Sequence, residues 1–213
     1  MKRAVSFLAV LLLAGCANNP PPPDWLLTAD TAVNSHARLW LEGRDKLATG
    51  QLAVAREAVS RTGDASQQAR VELHACAVRL AGLQGGQCPA FLPLARDAGQ
   101  AENVYAAYLA GQLVAVDSQF LPEMQRQAWQ NPQNLKSIKD PLTLLVAAAA
   151  LLEAGRLPPE NIALAVETAA GQGWRRALLA WLSLEKERLQ KAGDQSGSEA
   201  IGRRIERVLG GGR

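Results

Sequence analysis

The chain predicts an all-α fold built as an irregular stack of antiparallel helix hairpins or a helical bundle. From Asp24 onward apolar residues recur every three or four positions without sustained alternation, the period of an amphipathic helix rather than a strand. Aromatic residues make up 5% of the 213, too few for the core of a β-sandwich or barrel. Glycine and proline fall between the periodic stretches, where helices start and stop. With 48% apolar and 20% charged residues, the chain can bury one core of ordinary domain size and is neither disordered nor fibrous.

Residues 1–16 read MKRAVSFLAVLLLAGC: two cations, an apolar run from Ala4 to Leu13, then small residues, the pattern of a secretory leader. The run is shorter than the ~20 residues that a membrane-spanning helix needs. Its ending, Leu13-Ala14-Gly15-Cys16, resembles the lipobox of bacterial lipoproteins. The resemblance implies that residues 1–15 are a signal peptide cleaved before Cys16. It also implies that the Cys16 thiol carries diacylglycerol and that the new amine is acylated, with palmitate as a typical chain. Two or three acyl chains hold a protein firmly, whereas one does so marginally. Ala17 stands where the family commonly places an aspartate for inner-membrane retention, which implies the outer membrane, facing the periplasm. Residues 16–24 then form a lipid-anchored linker. Its prolines, Pro20 to Pro23, favour a polyproline II spacer reaching only a little over ~10 Å, so the body stays near its bilayer. Without Lys2 and Arg3 the chain holds 21 basic and 20 acidic residues, a balance that does not attract nucleic acid.

Residues 25–209 are expected to form a single helical domain, followed by a disordered tail, 210–213. The segment 65–83 carries Ala69, Leu73, Cys76, Leu80 and Leu83 as one packing stripe and exits at Gly85-Gly86. Residues 102–116 repeat the pattern with Tyr105, Leu109, Leu113 and Val116. Residues 142–152 are apolar around the whole circumference, as in a central buried helix, and Asp140-Pro141 supplies a cap and a first turn. Pro158 and Pro159 start a helix bearing Ile162, Ala165, Val166 and Ala169, which Gly171 and Gly173 break. Trp174, Leu178, Trp181 and Leu182 open a long helix to about Lys191, and a polar hinge, 193–197, precedes a short last helix.

Three sites share a corner pattern of small residue, glycine, polar residue and leucine: residues 47–52, 109–113 and 152–157. Such corners end helices when glycine takes the left-handed conformation. Around the first, Leu39, Gly43, Gly50, Ala55 and Val59 resemble a tetratricopeptide repeat in spacing. The corners are unevenly spaced, so a degenerate tetratricopeptide-like stack and an irregular bundle with common glycine caps both remain open, and in the bundle Gly111 could lie inside a helix.

After Cys16, the remaining cysteines are an even pair, Cys76 and Cys88, expected to be bonded in an oxidising compartment. Cys76 lies about 10 Å before its helix exit, and the link through Gly85-Gly86-Gln87 is long enough to return. Alternatives are a buried stripe thiol, or a zinc site with His74 that lacks a fourth ligand. The only histidines are His36 and His74, and no phosphate loop, nucleophile elbow or zinc-protease motif occurs. No metal and no cofactor is expected. Glu72, Glu102 and Glu153 could act as a lone acid in a transglycosylase-type cleft, or could be solvated helix faces. Trp25, Trp40 and Trp129 are candidates for an exposed recognition patch, or for core packing. Arg203, Arg204 and Arg207 could meet anionic lipid or complement their own helix dipole.

Together these features point to a non-enzymatic, lipid-anchored scaffold or accessory factor for an envelope assembly of the pilus, secretin or β-barrel class, with an envelope protein as partner. The rivals are a peptidoglycan-directed enzyme or its regulator, and a carrier of an apolar ligand. A cleft with one glutamate of raised pKa would mark the enzyme, a closed apolar cavity the carrier, and a grooved, filled surface the scaffold.

Overall fold

A computed structural model describes residues 21–85 and 87–210; the expected signal peptide, the expected anchor Cys16 and residues 211–213 lie outside the described residues. Those described are all-helical, with no strand among them. Nine α-helices run α1 (Asp24–Glu42), α2 (Asp45–Ser60), α3 (Ala65–Ala81), α4 (Gln100–Leu109), α5 (Glu123–Gln130), α6 (Pro141–Glu153), α7 (Glu160–Gly171), α8 (Arg175–Lys191) and α9 (Gln195–Gly210). Two 3₁₀ turns, Ala115–Phe120 and Pro132–Ser137, flank α5.

The helix starts follow side-chain chemistry. Asp64 accepts from the backbone N–H groups of Ser66 and Gln67 at 2.8 and 3.2 Å, and Asp140 accepts from that of Thr143 at 2.7 Å. Each satisfies donors that the first helical turn leaves orphaned. The ends of α1, α4, α6, α7 and α8 share a different device. A glycine with positive φ follows the helix or lies two residues past it, and the next residue's N–H returns to a carbonyl five positions back, as in Arg156 to Leu151.

Helix α6 sits at the centre. Leu144 to Leu151 are all buried, and α6 packs against α3, α4, α5 and α7. Around it, α1 and α2 form a hairpin that lays a second, alanine-rich core against α3 through Ala29, Ala32, Ala55, Ala58 and Ala75. Helices α7, α8 and α9 continue as a hairpin series, and α8 returns to α1. That closure has specific chemistry. Trp181, fully buried on α8, donates its indole N–H to the carbonyl of Ala81 at 3.0 Å, joining residues 100 apart. Arg176 stacks over the Trp40 ring at 4.2 Å and reaches Asp45 at 2.5 Å.

Four expectations need correction. The helix read over 102–116 stops at Leu109, because Gly111 takes φ +69° and turns the chain; Val114 is extended and Val116 is 69% exposed rather than striped. Gly50 lies inside α2, so the first corner belongs to Gly43 at φ +91°. Gly197 is not a hinge: Asp194 accepts its N–H at 2.9 Å, α9 begins at Gln195, and this last helix is long, taking in Gly210 from the predicted tail. Finally, α3 exits at Gly82 and Leu83, with Leu83 at φ +56°, ahead of the glycine pair.

The other two corners meet each other. A Cβ on Gly111 would lie 2.7 Å from the backbone nitrogen of Ala154 and from the carbonyl carbon of Glu153, so the end of α4 is pressed onto the end of α6. Gly155 has a nearly identical φ, +66°, but open space around it. Both Gly→Ala variants pay the left-handed penalty of about 1 kcal/mol, and only Gly111→Ala adds a backbone clash. Urea denaturation should place Gly111→Ala at least ~1 kcal/mol below Gly155→Ala. Equal losses would contradict the close approach.

Cys76 and Cys88 are bonded, with Cα atoms 5.7 Å apart. The bridge ties α3 to the run of turns after Cys88 rather than to a new helix, since α4 begins only at Gln100. Closing a loop of this size stabilises by about 2 to 4 kcal/mol.

Candidate functional site

An open cleft of about 380 Å³ lies where α3, α4 and the end of the first 3₁₀ turn converge. Leu73 and Ala101 supply apolar walls, Tyr105, Phe120 and Pro122 the far side, and Arg70, His74 and Glu102 the polar groups. Helix periodicity explains the assembly: Arg70, Leu73 and His74 share one face of α3, and Ala101, Glu102 and Tyr105 one face of α4. Arg70 donates from Nε to Glu102 Oε1 at 2.7 Å. Glu102 is 6% exposed and its carboxylate is committed to this pair, which spans two helices. Burial pushes the Tyr105 phenol up to about 12, opposed by a hydrogen bond with Gln125, so Tyr105 stays protonated.

Glu72 is likewise engaged, accepting two bonds from Arg56 at 2.6 and 2.7 Å. Both carboxylates are therefore held in ion pairs that bridge helices, α2 to α3 for Glu72 and α3 to α4 for Glu102. Glu153 lies by Gly85 and Gly111, in the corner where α4 meets α6, and not on the cleft.

The histidines tie helices together. His36 on α1 donates from Nδ1 to Ala48 O of α2 at 3.0 Å, and His74 on α3 donates from Nε2 to Val33 O of α1 at 3.2 Å. Burial lowers both, His74 to about 4 with a further push from His36, so both rings are neutral near pH 7. The disulfide leaves no thiolate for the zinc alternative, and no group of three ligating side chains occurs among the described residues.

The three tryptophans do not form one patch. Trp25 is half-buried in the first turn of α1 and lines the grooves between α1 and its neighbours α2 and α3. Trp40, about 22 Å further along the same helix, lies between Arg176 and Gly82, whose close backbone leaves room for the ring. Trp129 is core, 6% exposed, edge-on to Tyr108 and covered by Arg156 at 4.6 Å. On α9, Arg204 is paired with Glu167 at 2.7 Å, and Arg175 donates to the carbonyls of Val208 and Leu209 at that helix's end. Sequence reading missed the Arg70–Glu102 pair and the Tyr105–Tyr108–Trp129 column. Only the Tyr105 and Tyr108 spacing of three gave a local signal.

In comparisons with known proteins, no family model, no curated protein and no solved structure matches this chain.

Proposed function

We propose that the chain is a lipid-anchored envelope protein on the periplasmic face of the bacterial outer membrane. There its helices act as a scaffold or accessory factor for an envelope assembly of the pilus, secretin or β-barrel class, without catalysis of their own. The observation that carries the reading is Leu13-Ala14-Gly15-Cys16 at the end of an apolar run preceded by Lys2 and Arg3. Two features of the body support it. The Cys76–Cys88 bond suits an oxidising compartment. The grooves are open and floored by packed side chains, and Glu72 and Glu102 are both held by arginines, a surface suited to protein contact more than to acid catalysis or enclosure of an apolar ligand. In this reading the α1–α2 hairpin is the unit that resembles a tetratricopeptide repeat.

Fractionation tests the anchor. Cys16→Ser, expressed with its leader intact, should move the protein from the membrane pellet to the soluble fraction, and unchanged fractionation contradicts the reading. Cross-linking of the wild type in its native cell should then enrich components of an outer-membrane assembly. Enrichment of peptidoglycan fragments instead would favour the enzymatic rival.

A further inference from the structure

We propose that the tethered end of the α1–α2 hairpin is a bilayer-contacting surface, with Trp25 and Leu27 seated among phospholipid headgroups. The inference rests on the proposed acylation of Cys16 and adds an orientation to it. Helix α1 begins at Asp24, so residues 17–23 alone separate the anchor from the folded body. Seven residues reach at most about 25 Å when fully extended. Pro23, at φ −63° and ψ 149°, has polyproline II geometry and leads straight into the helix. The first turn of α1 therefore stays within that distance of the membrane at all times.

The side chains there suit such a surface. Trp25 is half-buried on a groove that it shares with Val54 of α2, which is 45% exposed. Leu27, 50% exposed, lies on another side of the helix, and both first-turn side chains lean toward its N-terminal, tethered end. Indole rings favour the headgroup layer, where an apolar body and a polar N–H both find partners. The charged residues lining this groove are Asp24, Glu57 and Arg61, the last two paired at 3.2 Å, so charge adds little attraction for anionic lipid. The fitting surface is therefore zwitterionic phospholipid. Two or three apolar side chains bind a bilayer weakly on their own. A short tether raises the local concentration to the millimolar range, and a weak contact then becomes a populated one.

Tryptophan quenching tests this on the full acylated protein, purified from membranes and reconstituted in phosphatidylcholine vesicles carrying brominated acyl chains. Wild-type emission should be quenched, the quenching should fall at least two-fold in Trp25→Phe and in Leu27→Gln, and it should persist in Trp40→Phe, whose ring lies under Arg176. Equal quenching in Trp25→Phe and wild type, or none in wild type, overturns the proposal. Incorporation of labelled palmitate separates the two claims. Palmitate without quenching overturns this inference alone, whereas no palmitate overturns the anchor as well. A photoreactive residue at position 27 should yield lipid adducts in cells, and a discrete adduct with another protein or a second copy of this chain would contradict the assignment.

Discussion

Truncation of Trp181 to alanine is expected to cost about 4 kcal/mol, the middle of the range for a buried aromatic. The ring is fully buried and sits where α8 closes back on the end of α3. Its indole N–H satisfies the carbonyl of Ala81, the last residue of α3, which is one of the acceptors a helix end leaves without an internal partner. Alanine creates a cavity and strands that buried carbonyl. Trp181→Phe keeps most of the volume and loses the hydrogen bond, so it should cost about 1 to 3 kcal/mol. Urea denaturation gives both values. A phenylalanine variant as stable as wild type would mean that the α3–α8 bond contributes nothing.

The second large effect is a loss of stability in mild acid. His74 is held to about 4 in the folded protein, chiefly by burial, and His36 is shifted in the same direction. Unfolded histidines titrate near 6.5. Below that value the unfolded chain takes up protons that the native state refuses, so the contribution is complete above pH 6.5 and falls away as pH drops toward 4. For His74 alone the loss is about 2 kcal/mol by pH 5 and about 3 kcal/mol by pH 4. Arg56 and Arg79 oppose protonation of His36, whereas Glu72 favours it, and Asp30 favours that of His74. Burial outweighs both acids. The measurement is denaturant stability against pH in wild type and His74→Gln. The variant should have a flatter profile between pH 6.5 and 5, and parallel profiles would contradict the assignment.

What was legible in the sequence was local. Helix α6 announced itself because every side of it is apolar, and Asp140-Pro141 fixed its start to the residue. The corner at Gly155 was readable because a helix that ends in a left-handed glycine leaves a short, repeatable signature; at Gly111 the same signature competed with a helical stripe that ran through it to Val116. The same signature misled at Gly50, where nothing crowds the residue and the neighbouring turns carry the helix through it. Val116 misled for a related reason. Its spacing continues the stripe of Tyr105 and Leu109, but Gly111 had already turned the backbone.

The candidate site was mostly hidden. Arg70 meets Glu102 across 32 residues and Arg176 meets Asp45 across 131, and periodicity carries no information at that range. The tryptophans show the same limit. Residue type made Trp25, Trp40 and Trp129 equally plausible anchors, while their surroundings, a groove, an arginine stack and a core, separate them. The Cys76–Cys88 pair was accessible because two cysteines in one short stretch leave a single pairing.

Cys16 decides how the rest is understood, since a body fixed to a membrane acts on neighbours and a free one need not. Intact mass analysis of the amino-terminal peptide, from protein purified out of a strain able to attach lipid, reads that directly. Acylation of Cys16 predicts a peptide that begins at that residue and is heavier by a diacylglycerol and a further acyl chain. A peptide that begins at Met1, or at an unmodified Cys16, would contradict it.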